Sequence, residues 1–162
     1  ERGRQGVSPK AAPKAEPQKY PQGTEVRYGR ETVHLPKEMS AKEVYFTRQM
    51  RNHHATSILV GDYLYGFSSA ILTAMKFDTG DIAWQDRSVG KGSLTFADDR
   101  LYLYSEGGVV GLAEATPAGY REHGRFELKT GRLPTWSHPV VSGGKLFLRD
   151  QDTIYAYDVR AK

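Results

Sequence analysis

The sequence predicts an all-β chain assembled from small repeated sheets, and three observations carry that prediction. A short phrase is written three times, as Gly61-Asp62-Tyr63-Leu64-Tyr65, Asp98-Asp99-Arg100-Leu101-Tyr102 and Gly143-Gly144-Lys145-Leu146-Phe147. Each copy is a tight polar turn leading into an alternating apolar run, and a second apolar anchor follows in step at Leu72, Val110 and Ile154. Leu64 and Leu101 lie 37 residues apart and Leu101 and Leu146 lie 45 apart, the period of propeller blades. The composition agrees: 17 Gly and 10 Tyr suit many short strands joined by turns better than a helical bundle.

The elements follow in chain order. Residues 1–40 read as a disordered basic Pro/Lys-rich leader or linker, with Pro9, Pro13, Pro17 and Pro21 fixing φ and removing donors. Within it, Val26 and Tyr28, then Val33 and Leu35, alternate enough for one or two edge-like strands. Residues 41–162 carry the blades. Val44–Thr47 is dense in strand formers, and the polar break Arg51-Asn52-His53-His54 follows it. The first meander has strands at 56–60, 63–68, 70–77 and 82–87. The second has strands at 94–96, 100–104, 109–115 and 120–128. The third has strands at 139–141, 145–149 and 153–159. The sum is one extra strand, two full blades and three-quarters of a third.

A blade is apolar on both faces and buries neither alone, so neighbours must stack on it. Rings of blades close with about four to eight. The chain is therefore expected to be the C-terminal part of a larger propeller, or to be completed by other chains. The strand at Val44–Thr47 is a candidate for the missing fourth strand of the last blade. No charged-then-apolar pattern follows Glu1, so a processed product or a fragment is expected.

Charge and cysteine usage exclude some functions. Residues 1–19 hold five Lys and Arg against two Glu, which accounts for three of the four net positive charges of the chain. No strand displays a basic stripe, so nucleic acid is not an expected partner. No apolar run approaches the length of a membrane span. The absence of cysteine excludes disulfides and thiolate metal sites.

Residues 72–84 carry a resemblance. Leu72-Thr73-Ala74-Met75, then Phe77-Asp78-Thr79-Gly80 and Ile82-Ala83-Trp84, resemble the repeat of the quinoprotein-type (pyrroloquinoline-quinone-like) β-propellers. In that repeat Thr79-Gly80 would make the outer turn and Trp84 would pack between blades. Ile154-Tyr155-Ala156-Tyr157-Asp158 matches its first half, Val110-Gly111-Leu112-Ala113-Glu114 matches more loosely, and Phe126 is expected where the Trp would stand. The resemblance covers about residues 43–162. It implies either a cofactor-free scaffold, similar to the outer-membrane assembly lipoprotein of Gram-negative bacteria, or part of a quinone-dependent dehydrogenase. It also implies an exported or periplasmic location, since proteins with this repeat are mostly bacterial and exported. The dehydrogenases resemble one another in a pair of adjacent cysteines on the quinone and in a Glu, Asn and Asp set for calcium. This chain has no cysteine, and that set finds no matching positions. No cofactor is therefore expected in these residues; quinone and calcium belong to the alternative.

Four residues are candidates for ligand or partner contact: His53, His54, Trp136 and His138. Neighbouring residues of a strand point to opposite faces, so His53 and His54 are not expected to chelate one metal together. A metal would need a third ligand such as His138 or Asp62; otherwise the pair sits at a blade crossing, hydrogen-bonded to backbone. Trp136 and His138 enter the third blade in Pro134-Thr135-Trp136-Ser137-His138-Pro139, either lining a polar cavity or packing as a buried Trp in a proline-stiffened turn. Ser93, Ser137 and His138 lack the Gly-x-Ser-x-Gly elbow of a hydrolase. Arg149-Asp150-Gln151-Asp152 reads as a hairpin turn rather than a calcium loop. Gly107-Gly108 opens a strand and offers phosphate no helix dipole. With no catalytic constellation, the expected function is a non-catalytic binding or scaffold segment whose partners are further blades or other protein chains. The alternative is a fragment of a quinone-dependent oxidoreductase with its catalytic blades elsewhere. A third reading docks the chain into an assembly through residues 1–40.

Overall fold

Each expected meander forms one antiparallel sheet. The computed structural model describes residues 25–28, 31–34, 43–131 and 133–160, and it divides into a unit ending at Glu43 and a unit beginning at Val44. In the first unit, β1 (Glu25–Tyr28) and β2 (Glu31–His34) pair as a hairpin, with Glu25 opposite His34. The proline-spaced leader lies outside the described residues.

The second unit is three sheets in sequence. Blade 1 is β3 (Ile58–Val60), β4 (Tyr63–Ser68), β5 (Ile71–Lys76) and β6 (Ile82–Asp86), paired in that order. Blade 2 is β7 (Gly92–Ala97), β8 (Arg100–Ser105), β9 (Val109–Glu114) and β10 (Glu122–Glu127). Blade 3 is β11 (Val140–Ser142), β12 (Lys145–Asp150) and β13 (Thr153–Asp158). No helix occurs among the described residues. The fold is all-β and partial.

The repeated phrase is a hairpin. Asp98-Asp99 and Gly143-Gly144 are two-residue loops with positive φ at both positions, which matches strand twist; the third two-residue loop, Gly61-Asp62, has positive φ at Gly61 alone, +56°. At the outer turn, Gly80 has φ +76°, and a Cβ there would meet the Tyr45 ring at 3.0 Å, so two constraints demand glycine.

Period-two alternation decides the packing. Along β8, Leu101 and Leu103 face blade 1 with Tyr65, Phe67, Leu72, Ala74 and Leu94, while Tyr102 and Tyr104 face blade 3 with Val110, Leu146 and Leu148. Blade 2 is thus buried on both faces. The equivalent anchors Leu72 and Val110 are 0% and 3% exposed, whereas Ile154 on blade 3 is 69% exposed because no blade stacks beyond it among the described residues.

Trp84 bridges blades 1 and 2. Its Nε1 donates to Thr116 O at 2.7 Å, and its ring lies between Tyr65 and Tyr120 with centroids 6.1 Å from each. Blade 2 corrects the expectation for Phe126. Both fourth strands carry a bulge at the same place, after which Trp84 pairs with Ala74 and Gly124 pairs with Leu112. Ala74 and Leu112 hold the same position in their strands, so Gly124 stands in the register of Trp84. Phe126 lies two residues further along and contacts Tyr157 at 5.0 Å between centroids. The empty indole position opens an apolar slot of about 330 Å³ bordered by Tyr102, Val110, Leu112, Phe126, Leu146 and Val159.

Val44–Thr47 forms no strand, contrary to the expectation, and so completes no blade. Strand propensity yields here to side-chain anchoring on blade 1. Tyr45 OH donates to Phe77 O at 2.7 Å, Arg51 N donates to Ser68 Oγ at 3.1 Å, and Ser69 N donates to Arg51 O at 3.0 Å. Met50 and Ser57 press on Gly66, where a Cβ would fall 2.3 Å from Ser57 Oγ.

Candidate functional site

In an antiparallel meander, the turn between second and third strands lies at the same end as the crossings between blades. Three crossings or entries reach that end: residues 50–57 before blade 1, 87–91 before blade 2 and 128–139 before blade 3. The turn Glu106-Gly107 of blade 2 is among them. Its backbone ties them together, since Glu106 N donates to Lys91 O at 2.8 Å and Thr135 N donates to Glu106 O at 3.1 Å.

The blade 3 entry is held rigidly. Arg149 O accepts from Tyr104 OH, Thr135 Oγ1 and Ser137 Oγ at 3.3, 2.8 and 2.6 Å. Ser93 Oγ donates to Ser137 O at 2.7 Å, and Gln151 Nε2 donates to Pro134 O at 3.0 Å. Ser93 and Ser137 are therefore engaged with backbone. Asp150 is buried and accepts Gly131 N at 3.0 Å, while Gln151 takes φ +51° in the hairpin turn.

All four sequence-predicted contact residues meet at this end. His53 and His54 lie at a bend rather than in a strand, so the alternation that would have separated them does not apply. Their ring centroids are 4.5 Å apart. Trp136 packs across both, with centroids 6.4 Å from His53 and 5.1 Å from His54. It remains 57% exposed, so it is not the buried packing Trp. His138 Nε2 approaches His54 O at 3.5 Å. Asp62 lies in the β3–β4 turn, at the opposite end of β4 from the Ser68-Ser69 backbone that holds Arg51, and does not join the group.

Glu106 and Lys91 complete the cluster, and sequence reasoning missed both. Glu106 Oε1 lies 3.3 Å from His54 Nε2 and 2.7 Å from Lys91 Nζ. Burial holds the His54 imidazole below its ordinary pKa, and the neighbouring His53, Lys91 and His138 act the same way against the opposing pull of Glu106. His54 is thus neutral at neutral pH. The signal for Glu106 was available: Glu106-Gly107-Gly108 is a second-to-third-strand turn, which topology places beside the crossings.

Beside Trp136 the surface opens into a groove of about 680 Å³, edged by Leu133, Arg149, Gln151 and Asp152. Leu133 is 63% exposed. The site thus joins a rigid exposed aromatic, an imidazole pair and an ion pair on one face.

These features define a β-propeller of stacked antiparallel blades. Among solved structures the chain is similar to the crystal structure of BamB from Moraxella catarrhalis, with a TM-score of 0.51 at 15% sequence identity over 78% of this chain and 40% of that one. The chain thus spans under half the length of BamB, and at this identity the likeness concerns the fold. No family model matches the sequence, and no curated protein matches it.

Proposed function

We propose that this chain is a non-catalytic, quinoprotein-like propeller segment that acts as a binding or scaffold module, taking a polypeptide on the face that carries Trp136. The observation behind this reading is an exposed Trp on a loop whose Thr135 and Ser137 hydroxyls, on either side of it, both donate to the Arg149 carbonyl, next to exposed Leu133 and an open groove. Rigid exposed aromatics in a polar rim are the residues that dominate binding energy at protein interfaces. Further blades, in the same protein or another chain, would cover the apolar face of blade 3 at Ile154. An exported, periplasmic setting follows from the resemblance of the repeat.

A photo-crosslinking residue placed at position 136 in the expressing organism tests the reading, with position 127 on the exposed edge strand as control. One discrete protein adduct at 136 and none at 127 is expected; no adduct at 136, or the same adducts at both, refutes it. The alternative is a segment of a quinone-dependent oxidoreductase. Incubation with pyrroloquinoline quinone and calcium, then gel filtration, separates the two: quinone absorbance retained at one per chain would favour the oxidoreductase.

A further inference from the structure

Three side chains at the blade crossings have the composition of an open transition-metal site. One ligand atom each from His53, His54 and Glu106 lies within 4.8 Å of the others. Zinc-type ions bind imidazole nitrogen and carboxylate oxygen at about 2.0–2.2 Å, which sets ligand atoms about 3.3 Å apart in a tetrahedron. His54 Nε2 and Glu106 Oε1 already stand 3.3 Å apart. His53 is exposed and free to swing the remaining distance.

Two further features point to a cation. Glu106 Oε1 is shut off from water and accepts no well-directed hydrogen bond. Lys91 Nζ reaches it at 2.7 Å as an ion pair without hydrogen-bond geometry, so a positive charge already occupies the place beside this oxygen. The oxygen is thus held by charge and not by a directed hydrogen bond, a role that a divalent cation fills as an ammonium does.

We propose that His53, His54 and Glu106 bind a single divalent transition-metal ion of the zinc type, with Lys91 as the charge that substitutes for it. Two imidazoles and a carboxylate are the hard-to-borderline set that suits zinc and cobalt. Three protein ligands leave one tetrahedral position open, for water or for a donor atom of a bound partner. This assignment does not rest on the polypeptide-binding reading, because the three ligands belong to the chain itself.

The test is titration of the 162-residue chain with cobalt(II), read by visible d–d absorption and by fluorescence. The Trp136 ring lies 5.1 Å from the His54 ring, so bound cobalt quenches it; Trp136→Phe identifies that part of the signal. We expect saturation at one cobalt per chain with tetrahedral absorption and loss of the Trp136 emission. Glu106→Gln should weaken binding about tenfold or more, as expected for loss of a metal-site group. Lys91→Met should tighten it, because a competing cation is removed. Absence of saturable quenching in the unsubstituted chain overturns the proposal. So does equal affinity of Glu106→Gln and the unsubstituted chain, which would leave only a histidine pair. Neither outcome bears on the crosslink at position 136.

Discussion

Replacing Gly124 by Trp should stabilise this protein. Gly124 occupies the register that Trp84 holds one blade earlier, beside the same bulge, and a Cβ built on it meets nothing within 4 Å. The slot it leaves measures about 330 Å³ and is lined by Tyr102, Val110, Leu112, Phe126, Leu146 and Val159. A Trp side chain buries about 150–250 Å² when enclosed. Half-burial, as for Trp84, shields about 100 Å², or ~2.5 kcal/mol at 25 cal/mol per Å². Ordering the ring costs up to about 1 kcal/mol, while removing a strand glycine returns about 0.5–1 kcal/mol. The net is about 2 kcal/mol of added stability, a rise of roughly 4–8 °C in Tm for a chain of this size. Urea unfolding of Gly124→Trp, beside Gly124→Ala as a control for backbone freedom, measures it. The midpoint should move while the slope stays constant, and Trp should exceed Ala by more than about 1 kcal/mol. A Trp variant no more stable than the Ala variant would refute the claim that Gly124 and Trp84 are equivalent positions facing equivalent slots.

Three other outcomes follow from the same geometry. Trp84→Ala removes the indole between Tyr65 and Tyr120 and leaves Thr116 O without its donor, so a loss of about 3 kcal/mol is expected by denaturant titration. Gly108→Ala forces a Cβ to 2.5 Å from Leu128 O at a φ of +87°, and thermal unfolding should show a loss of about 2 kcal/mol or more. Glu122 is held below its ordinary carboxyl pKa, first by the two-pronged Arg125 at 2.6 Å, against the opposing effect of burial and with help from the Tyr120 hydroxyl. A lowered folded pKa adds stability above the unfolded value of 4.5 that is lost as pH falls through the folded value. Glu122→Gln should therefore flatten the acid limb of a stability–pH curve below 4.5, by under about 1 kcal/mol because Arg125 is half exposed.

Much of the fold was legible because blade structure is local. Alternation along Arg100–Ser105 and the Asp98-Asp99 loop determine a hairpin wherever they occur, since side-chain period and loop twist are properties of a few adjacent residues. The inward and outward faces of β8, and hence the need for a blade on each side, follow from the same alternation. Val44–Thr47 misled because strand formers decide a strand only where backbone pairing follows; here Tyr45 holds the segment by its side chain, reaching the Phe77 carbonyl on blade 1. Phe126 misled because the connection into the fourth strand is longer in blade 2, residues 115–121, than in blade 1, residues 77–81, so only the pairing shows that Gly124 faces Leu112 as Trp84 faces Ala74.

The site divides in the same way. Sequence by itself singled out His53, His54, Trp136 and His138 as residue types with contact chemistry and determined that they lie in breaks between strands. Tertiary structure alone decided that these breaks converge, although His54 and His138 are 84 residues apart. It also decided that Glu106 and Lys91 join them, and that Trp136 is exposed rather than buried. The physical reason is that strand and turn formation answer to neighbours in the chain, whereas the meeting of three crossings depends on stacking whole sheets through cores that no single blade contains.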